Sequence, residues 1–161
     1  MVTRYNPGLE VSAMGKLVRA GLLTGITDGL FSSVLSAFFY GSTVMRLWQG
    51  VAATLVPNAF EGGVHTAAIG VFMHFGVAFT WSAIFIFLLM RSTWVRGLIE
   101  TWPGAVKVAA VFGPSIWLIM SLIVIPLLTH RPPAVTYRWW VQLVGHFPFV
   151  GLPIVAMSRD R

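Results

Sequence analysis

The sequence predicts an all-α fold: an integral membrane four-helix bundle with a short interfacial helix between its first and second spans. Three observations predict it. Of 161 residues, 57% are hydrophobic and only 10% are charged, with a mean hydropathy of +0.80. Soluble domains carry roughly 25% charged residues, so this chain has too little charge to cover a water-facing surface. Four apolar runs are each long enough to cross ~30 Å of hydrocarbon as a helix. The basic residues sit at the ends of those runs, where topology signals belong. The length suits a single domain, 1–161.

The first span is expected at 17–40. Gly21, Gly25, Gly29, Ser33, Ala37 and Gly41 recur every fourth residue there. Such small-residue strips let helix backbones approach closely. Between 41 and 63, Val44, Leu47, Trp48, Val51 and Leu55 fall at helical spacing on one side. That suits a helix lying in the interface plane, with a re-entrant segment as the alternative. Pro57-Asn58 is expected to end it.

The second span, 64–90, carries a similar strip of Thr66, Gly70, His74, Ala78 and Ser82. The third, 105–128, holds Pro114 and Pro126. The fourth, 139–157, is the shortest; it holds Pro148 and Pro153 and is interrupted by polar residues. Each proline removes a backbone donor and tends to kink its helix. A neighbour must then satisfy the freed carbonyl. Short links at 91–104 and 129–138 make consecutive spans antiparallel neighbours.

Orientation follows from Lys and Arg. Arg4, Lys16, Arg19, Arg91, Arg96, Lys107, Arg159 and Arg161 fall on one side, against Arg46, Arg131 and Arg138 on the other. This places both termini in the cytoplasm, and the polar stretch before the first span does not read as a signal peptide. Tyr40, Trp48, Trp139 and Trp140 are expected to form an outer aromatic belt, with Trp94 and Trp102 at the inner face.

Several function classes fall away. No cysteine is present, which removes disulfides, thiolate metal sites and a cysteine nucleophile. The net charge of +6 is distributed as topology and not as a nucleic-acid patch. No G-x-S-x-G, H-E-x-x-H, Walker or dinucleotide motif occurs, and the five acidic residues offer no carboxylate pair inside the spans. The chain does not read as an enzyme, and no metal site is expected.

Three ionisable residues fall deep in the spans. At 1.5 Å per residue, Asp28 and His74 lie roughly 15 Å in, and His146 roughly 12 Å. Residues at that depth face the bundle interior and find partners. Asp28 has Thr24 and Ser32 one turn away on either side. It can serve as interhelical glue in a protonated form, as a proton carrier, or as a cation ligand. His74 and His146 can be polar packing with Asp28, Gln142 or a carbonyl as partner. They can also be ligands to haem b, or one of them to the magnesium of a chlorophyll-type pigment. Gly70 and Gly145 would then leave room for the macrocycle.

Four stretches carry a family likeness. They are Gly21 to Gly29 with its aspartate; Glu61-Gly62-Gly63 through Thr66-Ala67-Ala68-Ile69-Gly70 to His74-Phe75; Pro126-Leu127 followed by Arg131-Pro132-Pro133; and His146 with Gly151-Leu152-Pro153. In these the chain resembles a group of small uncharacterised bacterial four-helix membrane proteins. The resemblance implies four helices and a bacterial inner membrane, and brings no activity with it.

The expectation for function is a non-catalytic accessory subunit. It would lie among membrane lipids and pack against partner membrane proteins, or against itself, in a respiratory or photosynthetic complex. A haem- or pigment-carrying subunit using His74 and His146, and a proton-coupled transporter using Asp28, are the alternatives.

Overall fold

The structure is a computed structural model that describes residues 7–159, with side chains from Ala13 onward. Arg4 and Arg161, counted above for orientation, lie outside the described residues. Eight α-helices are present among them: α1 (Pro7–Val34), α2 (Val44–Ala52), α3 (Gly63–Ala83), α4 (Thr93–Ile99), α5 (Trp102–Ile119), α6 (Ile125–Thr129), α7 (Tyr137–His146) and α8 (Leu152–Ser158). Single π-helical turns, and in the second a further 3-10 turn at Leu89–Arg91, join or extend them into four continuous apolar helices, Ala13–Phe39, Gly63–Arg91, Trp102–Thr129 and Tyr137–Ser158. All four are long and apolar enough to cross a membrane. Their bounds match the predicted spans to within a few residues.

The four long helices form a ring. The first packs against the second and the fourth, and the fourth against the third. Phe112 closes the ring by meeting Trp81 at 6.3 Å and Phe85 at 4.9 Å between centroids. The fourth helix is the most enclosed, with 44% of its span window buried against 22% for each of the others. This explains its polar interruptions: a helix with little outward-facing surface can carry Gln142 and His146 at lower cost.

The link at 91–104 is not plain loop. It contains α4, whose N-cap Ser92 accepts from the Val95 N–H at 3.4 Å. Thr101 caps α5 by accepting from the Gly104 N–H at 3.2 Å, with Pro103 in the first turn. Arg159 then donates to the last carbonyls of α4, Ile99 O at 2.7 Å and Glu100 O at 2.8 Å, and lies over the Trp102 ring. A cation at a helix C-terminus satisfies carbonyls that have no partner within the helix. Above α4 sits a dry cluster of Phe85, Val95, Ile99, Ala105, Ala109, Ile116, Val150, Ile154 and Val155.

The predicted helix between the first two spans exists as α2. It is capped by Thr43, which accepts from the Arg46 N–H at 3.1 Å, and the chain turns at Asn58 with φ of 53°. Its Trp48, placed in an outer belt by sequence, turns inward instead. The helix leans on α3, so the Trp48 ring reaches His74 at 5.1 Å. Trp139 also leaves the expected belt. It is buried and donates from Nε1 to Ser121 Oγ at 3.0 Å. Trp94, Trp102 and Trp140 remain exposed.

The small-residue strip of the first span packs inside the chain. A Cβ at Gly21 would strike the Phe79 ring, one at Gly25 the Phe75 ring, and one at Gly29 would crowd Trp48 and His74. A four-residue repeat gains about 40° of rotation per step on a helix of 3.6 residues per turn. Ser33 is accordingly half-buried and Ala37 exposed, while Ser36 takes the inward position. Gly70 of α3 faces the backbone of α2 at Trp48 and Ala52.

Prolines behave as expected in one clear case. Pro153 has no N–H for the carbonyl of Phe149. The Thr27 hydroxyl, from a different helix, lies 2.7 Å from that oxygen. It is also 2.8 Å from Leu23 O, but that oxygen already faces its own helical N–H, so the single hydroxyl proton serves Phe149. Pro148 lies within the π turn Phe147–Gly151, and Pro126 is the second residue of α6, which follows the π turn Met120–Val124. Two further π turns, Leu35–Phe39 and Ile84–Leu88, contain no proline.

Candidate polar site inside the bundle

Asp28 and His74 meet on the α1–α3 contact. Glycines decide this placement. With Gly25 and Gly29 on α1, the His74 ring can lie against the helix backbone, and its Nε2 is 2.9 Å from the Gly25 carbonyl oxygen. A carbonyl only accepts, so Nε2 carries a proton. The other ring nitrogen, Nδ1, faces Asp28 Oδ2 at 3.9 Å. Trp48 and Phe75 enclose the ring. The carboxyl and imidazole thus face one another at 3.9 Å, without a direct hydrogen bond between them.

The carboxyl is incompletely satisfied. Asp28 Oδ1 is buried and makes no hydrogen bond, and neither does Thr24 Oγ1 one turn away. Buried polar atoms are ordinarily paired, and an unpaired one points to water, an ion or a ligand.

On the other side of Asp28 lies Ser32, one helical turn on. Its hydroxyl accepts from Gln142 Nε2 at 3.2 Å. Gln142 in turn lines an open cleft of about 960 Å3 between the 53–61 and 128–138 segments. Gln142, Ser32, Asp28 and His74 therefore form a file of polar side chains running from the cleft into the bundle. One hydrogen bond joins Gln142 to Ser32, and Asp28 stands one helical turn from Ser32 and 3.9 Å from His74.

His146 is one turn below Gln142 and buried, with Nδ1 2.8 Å from the Gln142 carbonyl oxygen and its ring 4.9 Å from Trp117. It lies within electrostatic reach of Asp28 and His74. Nδ1 carries the proton, because its partner only accepts, and Nε2 has no hydrogen bond among the described residues. Ligand histidines are often oriented in this manner. His74 is not: both its nitrogens are turned toward the first helix.

The macrocycle slots foreseen at two glycines are filled by protein. The α2 backbone occupies the space over Gly70, and the Phe31 ring occupies that over Gly145. The residues around His74 therefore do not fit one face of a haem or chlorophyll-type pigment. No group of three or more His, Asp or Glu side chains suited to a metal occurs among the described residues.

Sequence reasoning singled out Asp28, His74, His146 and Gln142, and the structure brings all four into one polar region. It read Tyr40 as a belt aromatic, and did not foresee Ser32 as the link to Gln142 or the glycine pair Gly113 and Gly151. A Cβ on Gly113 would strike the His146 carbonyl, and one on Gly151 the Ala109 carbonyl. Spacing within one helix carries no signal for such a contact between two.

The fold and site define a class: an all-helical protein with four helices fit to span a membrane and a polar file in its interior. No protein-family model, curated protein or solved structure matches the chain.

Proposed function

We propose that the protein spans a bacterial cytoplasmic membrane with both termini inside, and that Asp28 takes up a proton from the outward-facing cleft as part of proton-coupled transport. The observation that supports this is the polar file from the cleft through Gln142 and Ser32 to a carboxyl with one unpaired oxygen. Purely structural glue in hydrocarbon gains most when every polar atom is paired. An intramembrane carboxyl left half-satisfied beside a titratable imidazole suits a group that changes protonation state. A four-helix chain would supply a transport path most readily as a dimer.

The test is proton entry into proteoliposomes that enclose a pH-sensitive dye, following an external acid pulse. Wild type is expected to acidify the lumen faster than empty vesicles, and Asp28→Asn to abolish the difference while unfolding at the same temperature. If Asp28→Asn conducts as wild type does, the reading is wrong.

A second reading is an accessory subunit that packs against partner membrane proteins. The small-residue strips do not favour it, since Phe75, Phe79 and the α2 backbone already fill them. Gly76 does. It is exposed in mid-α3, with nothing within 4 Å of where a Cβ would stand, and Ala68 and Thr80 share its exposure. The chain lacks cysteine, so Gly76→Cys gives a single thiol. Disulfide-linked species in native membranes would favour a helix partner at this face. A thiol that only reacts with lipid-soluble maleimide would exclude one.

A further inference from the structure

Three buried polar atoms without partners all belong to residues lining the same cleft: Tyr40 Oη, Trp117 Nε1 and Gln142 Oε1. A buried polar atom left unpaired destabilises the fold. Their convergence on one open cavity indicates that something polar normally meets them there.

The chemistry of the walls narrows what that is. Arg131 and Arg138 line the mouth, with Glu61 the acidic side chain beside them. Neither arginine forms an ion pair among the described residues. Arg138 instead donates to the Tyr40 carbonyl at 3.2 Å and stacks on the Tyr40 ring at 4.5 Å. The Trp117 indole supplies a further donor. Between donors and floor the walls are apolar: Ile125, Pro126, Leu128 and the Trp139 ring face the same space. Of the three unpaired atoms, Trp117 Nε1 donates, Tyr40 Oη can donate and Gln142 Oε1 only accepts; positive charge exceeds negative at the mouth, and an apolar body is accommodated.

We propose that this cleft binds a small carboxylate with an apolar body, its carboxylate between Arg131 and Trp117 Nε1 and its body against Ile125, Pro126 and Trp139. The same chemistry can arrive as a free acid from water or as a fatty acid from the bilayer. The inference deepens the transport reading by naming a solute, but its test does not depend on that reading, because binding in the cleft does not require Asp28.

The experiment measures binding to full-length protein in neutral-lipid nanodiscs by quenching of tryptophan fluorescence and by calorimetry. The probes are benzoate, its neutral isostere benzamide, and laurate. Saturable benzoate binding is expected, at least tenfold tighter than benzamide. Affinity should fall about tenfold in Arg131→Gln and severalfold in Trp117→Phe, and stay unchanged in Asp28→Asn. Laurate displacing benzoate at lower concentration would identify the bilayer as the source; no displacement would identify water. Absence of saturable benzoate binding to folded protein overturns the proposal. So does equal binding of benzamide, or benzoate binding indifferent to both Arg131→Gln and Trp117→Phe. Loss of proton flux in Asp28→Asn with benzoate binding intact would support both readings. Benzoate binding with no flux in any variant would leave the cleft site standing and remove transport.

Discussion

The two ends of the bundle are made from the same four helices and closed by opposite means. At the α4 end, Phe85 and its apolar neighbours fill the space between three spans, and Arg159 ties α4 to the chain's last turn. At the α2 end, the 53–61 and 128–138 segments stand apart around a cleft, and tryptophan, tyrosine and glutamine leave polar atoms unpaired beneath it. One end gains stability from dispersion contacts and excludes water. The other forgoes some of that packing and keeps a polar interior reachable from one side. Under the proposed transport reading, this asymmetry gives Asp28 a polar approach from the cleft end alone.

Substitutions at the two ends should therefore differ in size. The largest effect is expected at the dry end. Phe85→Ala should cost about 3 kcal/mol, by loss of ring contacts in a site that cannot collapse, read from unfolding in mixed detergent micelles by circular dichroism. A cost under 1 kcal/mol would mean that end is no better packed than the cleft.

At the seam between the third and fourth spans, Gly113→Val should cost about 2 kcal/mol or more. The new side chain must push against the His146 carbonyl, and backbone gives way less readily than a side chain. The same assay checks it, with loss of monodisperse protein on gel filtration as the extreme outcome. A neutral result would show that the two helices can separate there without penalty.

Thr27→Val should cost about 1 kcal/mol. Interhelical hydrogen bonds in membranes average roughly 0.6 kcal/mol and reach about 1.7 kcal/mol, and this one serves a carbonyl that Pro153 cannot serve. Restoring the N–H with Pro153→Ala should cancel most of the loss in the double variant. Additive losses would show that the hydroxyl is not serving Phe149.

The smallest effect belongs to the open end. Gln142→Leu removes one hydrogen bond to Ser32 and one unpaired oxygen together, so stability should change by less than about 1 kcal/mol in either direction. Proton entry should slow nonetheless. A large destabilisation there would make Gln142 a structural tie and weaken the contrast between the ends.

Much of this was legible from the chain because a bilayer restricts the options. Backbone groups in hydrocarbon must pair within a helix, so apolar run length alone located the four long helices to within a few residues. The cost of burying charge marked Asp28, His74 and His146 as inward-facing for the same reason. The segment 91–104 was taken as a plain link, and α4 within it, capped by Ser92, was not foreseen. Aromatic position was less legible: Trp139 and Trp140 are adjacent, yet one is buried and the other exposed, because helix rotation and not depth decides between them.

The sequence by itself determined the number of long helices, their approximate limits, and which ionisable residues would lie within them, since each follows from one-dimensional hydropathy; Gln49, expected off the apolar side of its helix, is buried instead. Only the tertiary structure decided which helix each glycine admits, that α2 turns Trp48 onto His74, and that Gln142 joins Ser32 to link the cleft with Asp28. Those are contacts between segments far apart in the chain, set by how helices rotate and approach in packing, and no local spacing encodes them.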